Sequence, residues 1–263
     1  MNPQLLNRPK GTVMQPEPSA TMRLQRAHCS IRRFRADPIS RDTLEALIRC
    51  GQAAASSSFI QAYSVVRVTV PAHREAIAAA AGGQAWVVAA PELLVFCADL
   101  RRVDQACRKA GEAPLEGMTE HALAAVVDVS LMAQNLLLAA ESLGLGGVYI
   151  GGIRNDPQVV VDCLQLPHGV APIFGLCLGW PAETSTEAVK PRLPLELVLH
   201  DGQYRDAADG ELTAYDATMA DYYRTRAENR KTIAWSAAVA QAVQGKKREH
   251  MRTFLQERGF FRH

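Results

Sequence analysis

The sequence predicts an α+β fold in which a few short strands are mixed with long helices. Three observations carry this expectation. β-branched or apolar runs recur at YSVVRVTV (63–70), ELLVFCA (92–98), VYI (148–150) and PIFGLCLGW (172–180), the composition of strands. The stretch 119–143 keeps apolar residues at helical spacing along its whole length. Strands and helices do not alternate regularly, so a doubly wound parallel sheet is not expected.

Taken in order, residues 1–22 are rich in Pro, Gln and Asn without periodicity and read as a flexible extension; residues 23–263 read as one domain. Ser40 is a good N-cap, and Leu44, Leu47 and Ile48 follow at helical spacing. Ser56-Ser57-Ser58 ends that helix, because Ser competes for its own backbone. After the strand 63–70, Pro71 opens a helix over 72–81, which Gly82-Gly83 closes. The strand 92–98 reads as buried.

In 119–143, Leu123, Val126, Val127, Leu131, Met132, Leu136, Leu138 and Ala139 leave little of the circumference polar. Such a helix is buried on most sides, within the domain or in a subunit interface. Asp128, Gln134, Asn135 and Glu141 argue against a lipid-facing span. The strand VYI follows between glycine pairs, then a helix over 156–166 and the strand 172–180. A Pro-containing loop spans 181–193. From Leu212 onward the chain reads as almost wholly helical and strongly charged.

Composition narrows the function. The 263 residues are 48% hydrophobic and 21% charged, an ordinary globular profile. The net charge of +2, from 29 Lys+Arg against 27 Asp+Glu, argues against a general nucleic-acid or membrane-surface binder. No run of about 18 uninterrupted apolar residues occurs, so a transmembrane helix is not expected. The first twenty residues lack the apolar core of a signal peptide. The six Cys form no CxxC and lie near no His at metal-ligand spacing. They read as reduced thiols in a cytoplasmic protein, with Cys97 and Cys177 as small buried hydrophobes.

Gly144, Gly146 and Gly147 suggest a dinucleotide fingerprint, but Tyr149 stands where the third glycine is needed. The glycines also follow a helix and precede a strand, the reverse of the Rossmann order. The basic segments are more informative. His28-Cys29-Ser30-Ile31-Arg32-Arg33 and Lys190-Pro191-Arg192-Leu193-Pro194 could converge on one phosphate, Arg as a fork and Lys as a point charge. On composition alone each reads as a solvated surface patch. Gly151-Gly152 at a strand end would let the backbone approach a flat ligand; taken alone, a bulge or tight turn is the favoured reading. Ser56-Ser57-Ser58-Phe59 offers hydroxyls and amides, or simply ends a helix.

Read together, these segments resemble the nitroreductase superfamily, within it the oxygen-insensitive NADPH nitroreductases and the NADPH–flavin oxidoreductases. The motifs are HCSIRRF (28–34) with DPIS (37–40), SSSF (56–59), GGQ (82–84) and MAQN (132–135). They continue with ESLGLGGVYIGG (141–152), FGLCLGWP (174–181), KPRLP (190–194) and YYRTR (222–226). The match runs from about Leu24 to the C-terminus.

The resemblance implies a central, mostly antiparallel sheet surrounded by helices, in an intertwined homodimer with FMN at the subunit interface. It implies that His28, Ser30, Arg32, Lys190 and Arg192 hold the FMN phosphate and nearby ribityl oxygens, with Cys29 in the same segment. Ser56, Ser57 and Ser58 match the loop near the ribityl chain and ring. Gln84, Tyr149, Ile150, Gly151 and Gly152 match ring-contacting positions. Arg226 and Lys231 match basic residues associated with NADPH, and Arg154 and Arg248 match those lining the substrate mouth. Two departures stand out: Cys29 where Arg is usual, and Glu249 after Arg248 where Pro is common.

The implied activity is two-electron reduction of nitroaromatics, quinones or similar flat small molecules by NADPH, ping-pong because donor and acceptor share one site. The alternative is a flavin reductase that supplies reduced FMN to a partner monooxygenase. No catalytic acid or base, metal, nucleic-acid partner or membrane is expected.

Overall fold

A computed structural model describes residues 17–227, 230–245 and 247–263. Four strands form one sheet: β1 (Tyr63–Arg67), β2 (Glu92–Asp99), β3 (Gly146–Ile150) and β4 (Val170–Gly179). Their order is β1-β2-β4-β3, and every neighbouring pair is antiparallel. The ten helices among the described residues are α1 (Ala20–Arg26), α2 (Arg41–Gln52), α3 (Pro71–Ala80), α4 (Ala85–Ala89), α5 (Arg101–Lys109), α6 (Thr119–Ser142), α7 (Pro157–Leu164), α8 (Asp209–Thr225), α9 (Trp235–Gly245) and α10 (His250–Glu257). The α+β expectation holds.

The architecture is helix–sheet–helix, and it follows from the period of the strands. On β2, Leu93, Val95 and Cys97 join a core with Ile77 and Ala78 of α3, Val160 and Val161 of α7, and Phe254 of α10. Leu94 and Phe96 point the other way, to Leu44 and Leu47 of α2 and Met132, Leu136 and Leu137 of α6. All eight residues of β2 are buried, because helices cover both faces. Glu92 is tolerated there because Arg67 donates to both its oxygens, at 2.7 and 2.6 Å; a buried carboxylate needs such a partner.

Local signals place most elements. Ser40 accepts from Thr43 N and caps α2. Pro71 opens α3, and Gly82 and Gly83 close it with φ of 91° and 72°. β1 stops at Arg67, earlier than the run 63–70 suggests; Val70 immediately precedes the first residue of α3, a proline, which favours extended backbone before the helix. Three helices have no counterpart in the sequence reading: α1, α4 and α5. Ser19 caps α1, so the extension read over 1–22 gives up residues 20–22 to a helix; residues 1–16 lie outside the described residues. Asp99 Oδ1 accepts from Arg102 N at 3.1 Å and starts α5.

By length and composition α6 could cross a membrane; here it packs one face against the sheet. Ala122, Ala125, Asp128, Val129, Met132, Ala133, Leu136, Leu137 and Ala140 are buried. The opposite side is not buried within the chain: Leu123, Val127 and Leu131, one helical turn apart, remain 50%, 53% and 45% exposed.

Candidate functional site

The segment 28–35 reaches the site as an extended strap beside the sheet. Ile31 N donates to Gly147 O at 3.0 Å and Arg35 N to Trp180 O at 2.8 Å, while Ala182 N returns to Arg33 O at 3.0 Å. Ile31 packs directly over Gly146, where a Cβ would collide with its side chain; the glycine is required by this close approach. His28 donates from Nδ1 to Glu141 Oε1 of α6 at 2.5 Å. That bond turns the other face of the imidazole away from α6.

The loop carrying Lys190 and Arg192 is tied to α8. Tyr215 Oη donates to Pro191 O at 3.0 Å and Tyr222 Oη to Ala188 O at 3.3 Å. Arg226 lies just past the end of α8, its guanidinium 4.8 Å from the centre of the Tyr223 ring. Lys231 N donates to Tyr223 O at 3.2 Å, which brings Lys231 back to the same end of the helix.

These segments enclose a cavity of about 570 Å³. His28, Cys29, Ser30, Arg32, Lys190, Arg192, Arg226 and Lys231, far apart in sequence, all line it. The charges are close enough to oppose one another. Burial pushes the Lys190 ammonium below its ordinary range, and the guanidinium and ammonium groups of Arg32, Arg226, Arg192 and Lys231 push it further. Trp86, on α4, completes the wall, with Arg32 5.6 Å above its ring. Its indole Nε1–H is buried and has no hydrogen-bond partner. A wall of mutually repelling cations with an orphaned donor suits a ligand with a phosphate and a flat body.

A second group gathers at the end of β3. A Cβ on Gly152 would lie 2.5 Å from Ala81 O and 2.8 Å from Gln84 Nε2, so only glycine lets β3 end against the α3–α4 turn. Gln84 Nε2 donates to Ala81 O at 2.8 Å. Arg154 lies over Gly151 and donates to Ile173 O at 2.5 Å; burial, then Arg248, pushes its pKa down. Arg248 Nε donates to Asn155 Oδ1 at 3.0 Å from a left-handed backbone, φ 47°. The Tyr149 hydroxyl is buried without a partner, its ring edge-on to Phe174 at 5.3 Å. Burial, then Glu141, drives that phenol's pKa up. The Ile150 side chain is only 1% exposed and belongs to the core, which leaves its backbone as the part able to meet a ligand.

Ser56, Ser57 and Ser58 are not among the cavity-lining residues. Ser57 N donates to Asp128 Oδ1 of α6 at 2.8 Å, and Ala62 N to Asp128 Oδ2 at 3.2 Å. Ser56 Oγ is buried without a partner.

Sequence reasoning missed Trp86, Thr186, Glu187, Ala188 and Tyr222 as lining residues; Arg33, which also lines the cavity, belongs to the basic cluster 28–33 but is not among the residues the resemblance assigns to the phosphate. Tyr222 was recoverable, since it precedes Arg226 by one helical turn. Glu187 had no local signal, being one acid in an irregular loop.

Residues 26–180 match the model of the nitroreductase family, and residues 190–263 that of the nitroreductase family C-terminal domain. The chain is 44% identical over 242 residues to an oxygen-insensitive NADPH nitroreductase of Salmonella typhimurium, covering 92% of this chain and 98% of that one. It is 44% identical over 233 residues to an NADPH-flavin oxidoreductase of Vibrio harveyi, covering 89% and 95%. Among solved structures, a nitroreductase from B. subtilis superposes with a TM-score of 0.87 at 37% identity, covering 92% of this chain and 100% of that one. The NADPH:FMN oxidoreductase of Vibrio harveyi complexed with NAD+ gives 0.83 at 41% identity, covering 92% and 99%. Fold, cavity and both family matches agree: the chain belongs to the nitroreductase family.

Proposed function

We propose that this chain is an FMN-dependent oxidoreductase that uses NADPH to reduce flat, electron-poor small molecules such as nitroaromatics and quinones. The observation that carries the reading is the convergence of Arg32, Lys190, Arg192, Arg226 and Lys231 on one cavity walled by Trp86. The relatives' names, NADPH nitroreductase, NADPH-flavin oxidoreductase and FMN reductase (NADPH), point the same way.

The residues present fit the cofactor. Arg32, Lys190 and Arg192 would hold its phosphate, with Ser30 and His28 toward the ribityl chain. Gln84, Tyr149 and the backbone of Ile150, Gly151 and Gly152 would meet the ring, and the orphaned Tyr149 hydroxyl suits that role. When bound, FMN supplies the redox chemistry, accepting two electrons from NADPH and passing them to the acceptor. The protein's own work is to bind and orient. Arg226 and Lys231 would take the 2′-phosphate of NADPH, and Arg154 and Arg248 would line the acceptor's approach. A single open face serving donor and acceptor in turn gives ping-pong kinetics.

The homodimer belongs to the same proposal. The exposed stripe Leu123, Val127 and Leu131 is what an obligate interface would cover. It lies on the same helix as Asp128, which holds the serine loop; across the interface Ser56, Ser57 and Ser58 would serve the partner's flavin. Residues 23–263 then form the FMN-binding domain. The six free thiols support a cytoplasmic setting.

The test is direct. Purified protein should be yellow and release stoichiometric FMN on denaturation, and it should oxidise NADPH with a nitroaromatic or quinone. A colourless protein that FMN cannot reconstitute refutes the reading.

A further inference from the structure

The cavity wall is not uniformly cationic, because Glu187 stands in it. Its Oε1 accepts from the Arg32 backbone N–H at 3.2 Å, and its Oε2 from the Ser185 hydroxyl at 2.5 Å. Burial alone would raise its pKa. Hydrogen bonds from Ser185, from its own amide and from the Arg32 amide, together with the charge of Arg33, outweigh that and hold it below the ordinary range. It is therefore a carboxylate at neutral pH.

Its loop is fastened over the 28–35 strap. Ala182 N donates to Arg33 O, Ser185 N donates to Ala182 O at 2.9 Å, and Arg33 Nη2 donates to Thr186 Oγ1 at 2.9 Å. Next to it Cys29 adds no compensating charge. Burial, then Glu187 and Glu141, pushes that thiol's pKa up, so it stays a neutral SH.

A backbone N–H on a strap lined by Arg32, Ser30 and His28 is the kind of donor a phosphate oxygen takes. Here the Arg32 amide is already bonded to a carboxylate of the same chain. We infer that Glu187 competes with the phosphate of the bound mononucleotide and thereby sets how readily FMN exchanges. The inference rests on the proposed FMN site and deepens it: an internal carboxylate beside the phosphate loosens FMN and speeds its exchange without abolishing its binding.

The competition is specific to the phosphate, which gives a clean control in riboflavin, the same ring and chain without that group. Equilibrium dialysis of the full chain against each flavin, read by flavin fluorescence, measures both dissociation constants. Glu187→Gln should tighten FMN by roughly tenfold, the scale of removing one like charge several ångströms away in a partly screened cavity. Riboflavin should shift by less than about twofold, since a neutral ligand has no net charge to repel. Glu187→Ala should behave alike, which separates the charge from any effect of the amide. FMN affinity unchanged in both variants, or riboflavin tightening as much as FMN, overturns the inference while leaving the FMN enzyme intact. Failure of the wild-type chain to bind either flavin overturns the functional reading as well.

Discussion

Asp128 offers the most quantitative test of how this fold builds its site. Its carboxylate is fully buried on α6 and accepts from Ser57 N and Ala62 N, at 2.8 and 3.2 Å. Between those two anchors the backbone takes left-handed conformations at Ser58, Phe59 and Gln61, with φ of 45°, 57° and 50°. Each costs a non-glycine residue on the order of 1–2 kcal/mol, so the loop keeps this shape only because its ends are fixed. Asp128→Asn keeps the volume and one acceptor but turns an amide N–H₂ toward the second backbone N–H.

A hydrogen bond to a charged group is worth about 1.5–3 kcal/mol, and a buried donor left unpaired costs a similar amount. The substitution should therefore cost about 2–3 kcal/mol, reduced somewhat by relaxation of the strained residues. For a chain of this size that lowers Tm by roughly 4–10 °C. Urea unfolding at fixed protein concentration measures the cost, concentration being held because an oligomer's stability depends on it. The same variant should become protease-sensitive within 57–61. A loss under about 1 kcal/mol with an unchanged m-value would show that the two amides find other acceptors, and the clamp argument would fail.

Two further outcomes are expected. Val127→Asp places a charge in the middle of the exposed α6 stripe, and light scattering should then report a shift from dimer toward monomer; an undisturbed dimer would move the interface elsewhere. Arg226→Ala should raise the KM for NADPH by about tenfold or more, the worth of one charged hydrogen bond, while NADH use and FMN content change little. A lower Tm with an unchanged NADPH/NADH ratio would instead make Arg226 a structural cap, stacked on Tyr223, and remove it from the site.

The sequence alone determined whatever depends on neighbours along the chain. The Ser40 cap, Pro71, Gly82-Gly83 and the six-residue apolar run 93–98 of β2 place their elements, because capping, proline geometry and strand composition are local. It also marked 28–33 and 190–194 as basic, and the collinear motifs tied them to one family. α4 and α5 escaped because their signals are weak or tertiary: α4 is short, and α5 has Leu100 at its N-cap, its first turn held instead by Asp99, the last residue of β2.

Tertiary structure decided what lies in the cavity. The resemblance assigned Arg32 and Lys190 to one phosphate, but no local signal brings them together; packing of the strap against β3, and of the 188–192 loop against Tyr215 and Tyr222, does so. The exposed side of α6 could not be read from composition either, since an apolar stripe turned to its own core and one turned to a partner have the same period. Glu187 is the extreme case. Its chemistry comes from the Arg32 amide, and a backbone donor leaves no letter in the sequence for an acid to be matched against.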